Sequence, residues 1–430
     1  VTRLAIDGGD PVVPGGVDVE WPIFDDAERA ALVDVLESGS WCSAGSYFPA
    51  GERRSAIERF EERFAEYVGT EYATAVPNGT QALELAFRAI GVEPGAEVIV
   101  PAVTFVASAS AAIQTNAVPR FVDVDPETYQ LSPDAVEAAI TEETVAIEVV
   151  HYGGYPADMD RLRSIAEEHD LWLIEDAAEA HGTEWRGERV GSLGDVGCFS
   201  LQQGKPLTCG EGGVLTYDDP DLAERIYALA NLGRSPDGGS YEHHVPAGNY
   251  RLSEFLGAIL NEQLSRFPAQ TAARDEHGQY LRDALGEIRG LDPLRPDDRI
   301  TQRGYYFFFV RYDPAAWDGV HRDRFMTALE AEGIPSSTAH NDPLYQQAAF
   351  RDIDPRLLHG ADVDYGEVHC PEAERIYDTE AIALGKDLLL ERETVEAVVA
   401  ALQKLRANDD VLARWADSSD TDAAGADARD

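Results

Sequence analysis

Lysine is almost missing from this chain of 430 residues: Lys205, Lys386 and Lys404 stand against 32 arginines, and only Lys205 precedes residue 386. Cysteine is sparse too. Cys42, Cys198, Cys209 and Cys370 are far apart and form neither a paired metal spacing nor a disulfide framework, so they read as the reduced thiols of a cytosolic protein. No apolar run is long enough to cross a bilayer, and no basic-then-apolar leader opens the chain. The cytoplasm is therefore the expected location, with no membrane partner. Positive charge is short throughout: 35 Lys plus Arg face 79 Asp plus Glu, a formal net charge of −44. Such a surface repels phosphate backbones and anionic lipids, which argues against nucleic acid as a partner. Disorder does not follow, because 44% of the residues are hydrophobic and 17 Tyr, 15 Phe and 6 Trp can fill a large core. An ordered, acidic, lysine-poor chain reads as adapted to high salt, where screening removes the self-repulsion.

From about residue 70 to 220, short apolar runs alternate with amphipathic segments, the mark of an α/β chain with a mostly parallel sheet flanked by helices. Residues 96–101, 119–124, 144–150, 171–175, 196–201 and 213–217 read as strands. Residues 80–90, 106–115, 133–140, 159–168 and 221–232 read as helices, the last with Pro220 as a start signal. Residues 251–266 and a long amphipathic stretch near 272–287 would lead out of this domain. A smaller α+β unit follows, with a strand over 305–312 and helices over 322–332 and 393–406. The expected division is residues 1–270 for an N-terminal segment plus large domain, 271–408 for the small domain, and 409–430 for a solvated acidic tail ending DSSDTDAAGADARD.

Lys205 lies in Phe199-Ser200-Leu201-Gln202-Gln203-Gly204-Lys205-Pro206, ahead of Gly210-Glu211-Gly212-Gly213. Arginine cannot lose its proton in water, whereas an amine can once its surroundings lower its pKa. The chemistry that demands lysine is the Schiff base, above all one with pyridoxal phosphate (PLP). A leftover surface lysine is the competing reading. Four features suit a site at the carboxyl ends of strands. Asn78-Gly79-Thr80 runs into a helix whose free N–H groups and Thr80 hydroxyl suit a phosphate, although an ordinary N-cap would look the same. Asp176 stands at a strand end, where a carboxylate can hold a pyridine nitrogen protonated; a loop cap is the alternative. Ser200, five residues before Lys205, could bind the same phosphate. Phe105 offers a face for a cofactor ring, unless it is plain core.

The order and spacing of these segments resemble the fold-type I PLP enzymes, and within them the sugar aminotransferases of DegT/StrS type. The resemblance runs through Gly8-Gly9-Asp10-Pro11, Trp21-Pro22, Pro77-Asn78-Gly79-Thr80, Val100-Pro101-Ala102-Val103-Thr104-Phe105, Glu175-Asp176-Ala177-Ala178, Lys205, Asn249-Tyr250-Arg251-Leu252-Ser253-Glu254, Pro343-Leu344-Tyr345 and Cys370-Pro371, nearly the whole chain except the tail. It implies that Lys205 forms the Schiff base and later carries the proton, that Asp176 pairs with the ring nitrogen, and that Phe105 stacks on the ring. It further implies that Gly79, Thr80 and Ser200 hold the phosphate, with Asn249 reaching the phosphate of a neighbouring subunit in a homodimer with shared active sites. The implied reaction moves an amino group from glutamate or glutamine to a keto-sugar or keto-cyclitol. The stretch before Lys205 and the Asn249 segment resemble the branch that aminates keto-cyclitols such as scyllo-inosose. One position departs: Glu179 stands where the family usually has Gln or His, with His181 nearby as a substitute partner or a mere loop residue. His243-His244 would line the site mouth or face solvent, and Arg251 is a candidate for the donor's carboxylate. Two other readings remain: a sugar dehydratase of the same fold, whose relatives replace the lysine by histidine, and a non-catalytic PLP-binding regulator. Lys205 argues against the first, and the presence of Lys205, Asp176 and Thr80 together against the second. No metal-ligand constellation stands out.

Overall fold

The computed structural model describes residues 3–42, 55–235, 241–340, 342–361 and 363–416. Two helices the sequence reading left out come first: α1 (Asp26–Ser38) and α2 (Ala56–Val68). Each opens on a side-chain cap, Asp25 with Glu28 in a capping box and Ser55 accepting from the Glu58 amide. The α/β pattern then unfolds as β1 (Tyr72–Val76), α3 (Gly79–Ile90), β2 (Glu97–Pro101), α4 (Val106–Gln114), β3 (Val118–Val122), α5 (Pro133–Ala139), β4 (Thr144–Val150), α6 (Met159–His169) and β5 (Trp172–Asp176). A two-residue hairpin, β6 (Glu184–Trp185) and β7 (Glu188–Arg189), precedes β8 (Val196–Ser200), β9 (Gly213–Tyr217) and α7 (Pro220–Ala230).

The large sheet runs β1-β9-β8-β5-β4-β2-β3. Neighbours from β8 to β3 pair in parallel, while β9 is antiparallel to both β8 and β1. The cause is local. No helix intervenes between Ser200 and Gly213, so the chain cannot cross over the sheet and returns as an antiparallel partner, with Ser200 opposite Gly213. Lys205 therefore sits in a loop that springs from the carboxyl edge of the sheet. One face packs on α3 and α4, the other on α2, α6 and the first half of a long helix, each through its own apolar cluster.

That long helix, α8 (Glu254–Leu285), joins the stretches 251–266 and 272–287 into one element, continuous through Pro268. Burial on both sides of the proline explains why the break is tolerated. Phe267 belongs to the large-domain core, Leu281 and Leu285 to the small-domain core, so the expected boundary at 270 falls inside one element. The small domain holds a three-stranded antiparallel sheet, β10 (Leu291–Pro293), β12 (Phe307–Tyr312) and β13 (Ala381–Gly385), covered by α9 (Arg322–Ala331) and the helix Arg392–Arg406; β11 (Ile300–Gln302) pairs instead with β6.

Two boundaries move. The N-terminal segment joins the small domain: Leu4 is in its core, and the buried Glu332 carboxylate accepts from the amides of Ala5 (2.9 Å) and Val12 (3.1 Å) and from Lys404 Nζ (2.6 Å). Residues 409–416, assigned to the tail, are helical and bury Leu412 and Ala416. The rest of the tail lies outside the described residues. Among the described residues no helix is long and apolar enough to cross a membrane.

Candidate active site

The carboxyl ends of β4, β5 and β8 bring Lys205, Asp176, Glu179 and Ser200 together. Lys205 Nζ lies 3.3 Å from Glu179 Oε1 and 4.1 Å above the centre of the Tyr306 ring. The other Glu179 oxygen accepts from the Gly153 amide at 2.9 Å. Gly153 has φ +67°, and a Cβ there would come within 2.3 Å of the Phe309 ring, so only glycine fits this turn. Burial opposes the charge on Lys205, but Glu179, then Tyr306 and Asp176, outweigh it and hold the ammonium above its ordinary pKa.

None of the three lysines is a surface leftover. The side chains of Lys205, Lys386 and Lys404 are 14%, 4% and 8% exposed, and each meets a carboxylate: Glu179, Asp387 and Glu332. Lys386 also lies over the Trp21 ring, and burial lowers its pKa.

Asp176 is buried at the end of β5, where Oδ2 accepts from Ser108 Oγ (3.0 Å) and Oδ1 from the Ala178 amide (3.1 Å). Burial raises its pKa, with the Ala178 amide, Lys205 and Ser108 pulling the other way. Thr104 Oγ1 reaches Ser108 Oγ at 2.9 Å. Glu175, one residue earlier, points to the opposite face. It accepts from the amides of Gly191, Leu193 and Gly194 and meets His151 Nε2 at 2.9 Å, so it is committed to the loop before β8. His181 lies in the loop after β5, buried rather than exposed. Its ring is buried against Phe199 and Phe267, and burial, then Lys205 and Arg274, push its pKa down to about 3.

At the start of α3, Asn78 Oδ1 caps the Gln81 amide at 2.8 Å. The amides of Gly79 and Thr80, in the first helical turn, have no partner within the helix. A Cβ on Gly79 would lie 2.8 Å from Ser200 Cβ, so glycine allows this helix end to close on β8. The result is a helix end with free N–H groups closed against Ser200, five residues before Lys205 in the chain. Phe105 caps the start of α4 without a side-chain bond and is 54% exposed, so it is not plain core. Its ring lies 5.8 Å from that of His340, whose Nδ1 meets the Tyr152 hydroxyl at 2.9 Å. Tyr152, Tyr306, His340 and Ser108 went unrecognised in the sequence; each is one polar side chain in an unremarkable stretch, and only folding assembles them.

Asn249 is not part of this group. It is exposed, bridges to Asn231 and accepts from the Arg251 amide, while Arg251 Nη1 bonds Asn231 Oδ1 at 2.7 Å. His243 and His244 are exposed, and His243 Nδ1 lies 2.7 Å from the Leu232 carbonyl.

A buried amine beside a strand-end carboxylate and a helix-end anion cradle is a fitting socket for an aldehyde cofactor bearing a ring nitrogen and a phosphate. The sequence model of the DegT/DnrJ/EryC1/StrS aminotransferase family matches residues 22–403. The chain belongs to this family. It is a PLP-dependent aminotransferase of the fold-type I architecture. The L-glutamine:2-deoxy-scyllo-inosose aminotransferase of Streptomyces kanamyceticus is 42% identical over 362 residues, 81% of this chain and 84% of its own length. The L-glutamine:scyllo-inosose aminotransferase of Streptomyces griseus is 38% identical over 422 residues, 95% and 98% of the two chains. The crystal structure of 3-amino-5-hydroxybenzoic acid synthase matches with a TM-score of 0.79 at 36% identity, covering 90% of this chain and 100% of that one.

Proposed function

We propose that this aminotransferase moves the amino group of glutamine, or of glutamate, to the ketone of a cyclitol of the inosose type, with Lys205 and Asp176 as its catalytic pair. Bound in the cradle, PLP supplies an aldehyde that takes up the amine and a ring that accepts an electron pair. The observation that carries the reading is the meeting of Lys205 Nζ and Glu179 Oε1 at 3.3 Å within the charge field of Asp176. Glu179 holds the ammonium form of Lys205, so the amine becomes a nucleophile only by losing its proton against that carboxylate. Lys205 Nζ, once released, accepts the proton from the donor carbon that bore the amine and passes it on. Asp176 keeps the ring nitrogen protonated; Gly79, Thr80 and Ser200 hold the phosphate, and Phe105 covers the ring.

The acceptor class draws support from the two inosose aminotransferases, similar over most of the chain. The paired Tyr152 hydroxyl and His340 imidazole also offer neutral polar atoms suited to a polyhydroxylated ring. A second reading, formation of 3-amino-5-hydroxybenzoic acid, is favoured by the full-length match to the solved synthase of that compound. Incubating the PLP-loaded enzyme and glutamine with scyllo-inosose, 2-deoxy-scyllo-inosose and nucleotide-linked keto-sugars, with mass detection of the amine, tests the proposal. Amination of the cyclitols is expected. Turnover of the nucleotide-linked sugars alone would contradict it. In the same reading the enzyme works as a homodimer in a salt-rich cytoplasm, with Asn249 of one subunit serving the phosphate of the other.

A further inference from the structure

Behind the Asp176 carboxylate lies a second one for which the reaction above has no use. Glu148, in β4, is fully buried, and neither carboxyl oxygen has a hydrogen-bond partner. The register places Glu148 opposite Ile174 and Val150 opposite Asp176. Side chains alternate between faces, so Glu148 and Asp176 project from the same face of adjacent strands, one step apart on the diagonal. From α4, which covers this face, comes Ser108, already donating to Asp176 Oδ2 and sharing a hydrogen bond with Thr104. From β8 come Val196 and Cys198, opposite Ile174 and Asp176. The Cys198 thiol stays neutral, because burial and then the Asp176 charge raise its pKa far above normal. Glu175 faces the other side and is fully bonded there.

Two buried carboxylates this close cannot both be ionised in apolar surroundings. Asp176 has compensation from an amide, a hydroxyl and the Lys205 charge. Glu148 has none of comparable weight: burial and then Asp176 drive its carboxyl well above the ordinary range, with only Ser108 acting against them. The proton therefore belongs to Glu148. A protonated carboxyl is a donor, and the acceptors on this face are Ser108 Oγ and Asp176 itself. A serine oxygen can accept from two neighbours while giving its own proton away.

We propose that Glu148 is a protonated positioning residue whose O–H feeds the Ser108–Asp176 pair, so that the carboxylate facing the PLP ring nitrogen keeps its place and its charge. The chain Glu148 to Ser108 to Asp176 is polarised in one direction, and each link strengthens the next. The proposal rests on Asp176 serving the ring nitrogen.

The test reconstitutes wild type, Glu148→Gln, Glu148→Leu and Asp176→Asn with PLP labelled with nitrogen-15 in the ring. It reads PLP affinity, the ring-nitrogen chemical shift and the thermal stability of each cofactor-free protein. Glutamine is neutral and keeps a donor, so Glu148→Gln is expected to match wild type in affinity and in the protonated-ring signal. Glu148→Leu loses the donor, and is expected to bind PLP about tenfold or more weakly with the ring signal moved toward the neutral form. Its cofactor-free form should be about as stable as wild type, because removing the desolvation cost of a buried carboxyl offsets the lost hydrogen bond; a residue of purely structural value would lower stability instead. Wild-type affinity and ring signal in Glu148→Leu would overturn the proposal. So would a large loss in Glu148→Gln, and that variant decides alone if the leucine protein does not fold. An unchanged ring signal in Asp176→Asn would instead remove the role of Asp176 on which the proposal stands.

Discussion

A lysine that attacks an aldehyde must first give up a proton, and Glu179 Oε1 stands 3.3 Å from Lys205 Nζ to set that requirement. The sign follows from the groups present. Burial favours the neutral amine, while Glu179, Tyr306 and Asp176 favour the ammonium and prevail. Glu179→Gln removes the largest of the raising influences, so the free-amine fraction grows at any given pH. The pH at half-maximal rate of PLP attachment to the cofactor-free protein, followed by stopped-flow absorbance, is expected to move downward. No movement, or an upward one, would take Glu179 out of the proton account. At this scale the sequence displayed the residues whose type is chemically irreplaceable: a rare lysine, a strand-end aspartate, a glycine at a helix start. It concealed those that matter by meeting others. Tyr152 and His340 are 188 positions apart, and Glu148 reads as any strand residue until the register sets it beside Asp176.

At the scale of elements, the strands of the large sheet were legible because period and turn signals agree with burial. The helices before residue 70 carried clear start signals, Asp25 with Glu28 and Ser55 with Glu58, that apolar periodicity alone did not bring out. α8 shows in the sequence only as two stretches, for a physical reason: a proline normally ends a helix, yet packing on both domain cores outweighs one lost backbone bond. A buried acid ties the N-terminal segment to the small domain, alongside the apolar packing of Leu4. Glu332→Ala would leave Lys404, only 8% exposed, without its counter-charge, and the Ala5 and Val12 amides without acceptors. The expected loss is about 3–5 kcal/mol of stability, with hydrogen exchange accelerated over residues 5–13. A loss confined to global stability, with those amides still protected, would mean that other contacts hold the segment.

For the whole molecule, charge and assembly dominate. A formal charge of −44 repels itself most at low ionic strength. Melting temperature and activity are therefore expected to rise with salt, and full stability in dilute buffer would contradict a high-salt origin. Shared active sites predict complementation. Lys205→Ala and Asn249→Ala damage different halves of a composite site, so random co-refolding should restore about a quarter of wild-type activity, half the dimers being mixed with one intact site each. Heterodimers without activity would show that Asn249 serves its own subunit. The central claim, that Lys205 among the three lysines carries the cofactor, is tested most directly by borohydride reduction of the PLP-loaded enzyme followed by peptide mapping. The account predicts the pyridoxyl group on Lys205, in the peptide that contains Ser200; label on Lys386, the buried lysine with the lowered pKa, or on Lys404 would contradict it.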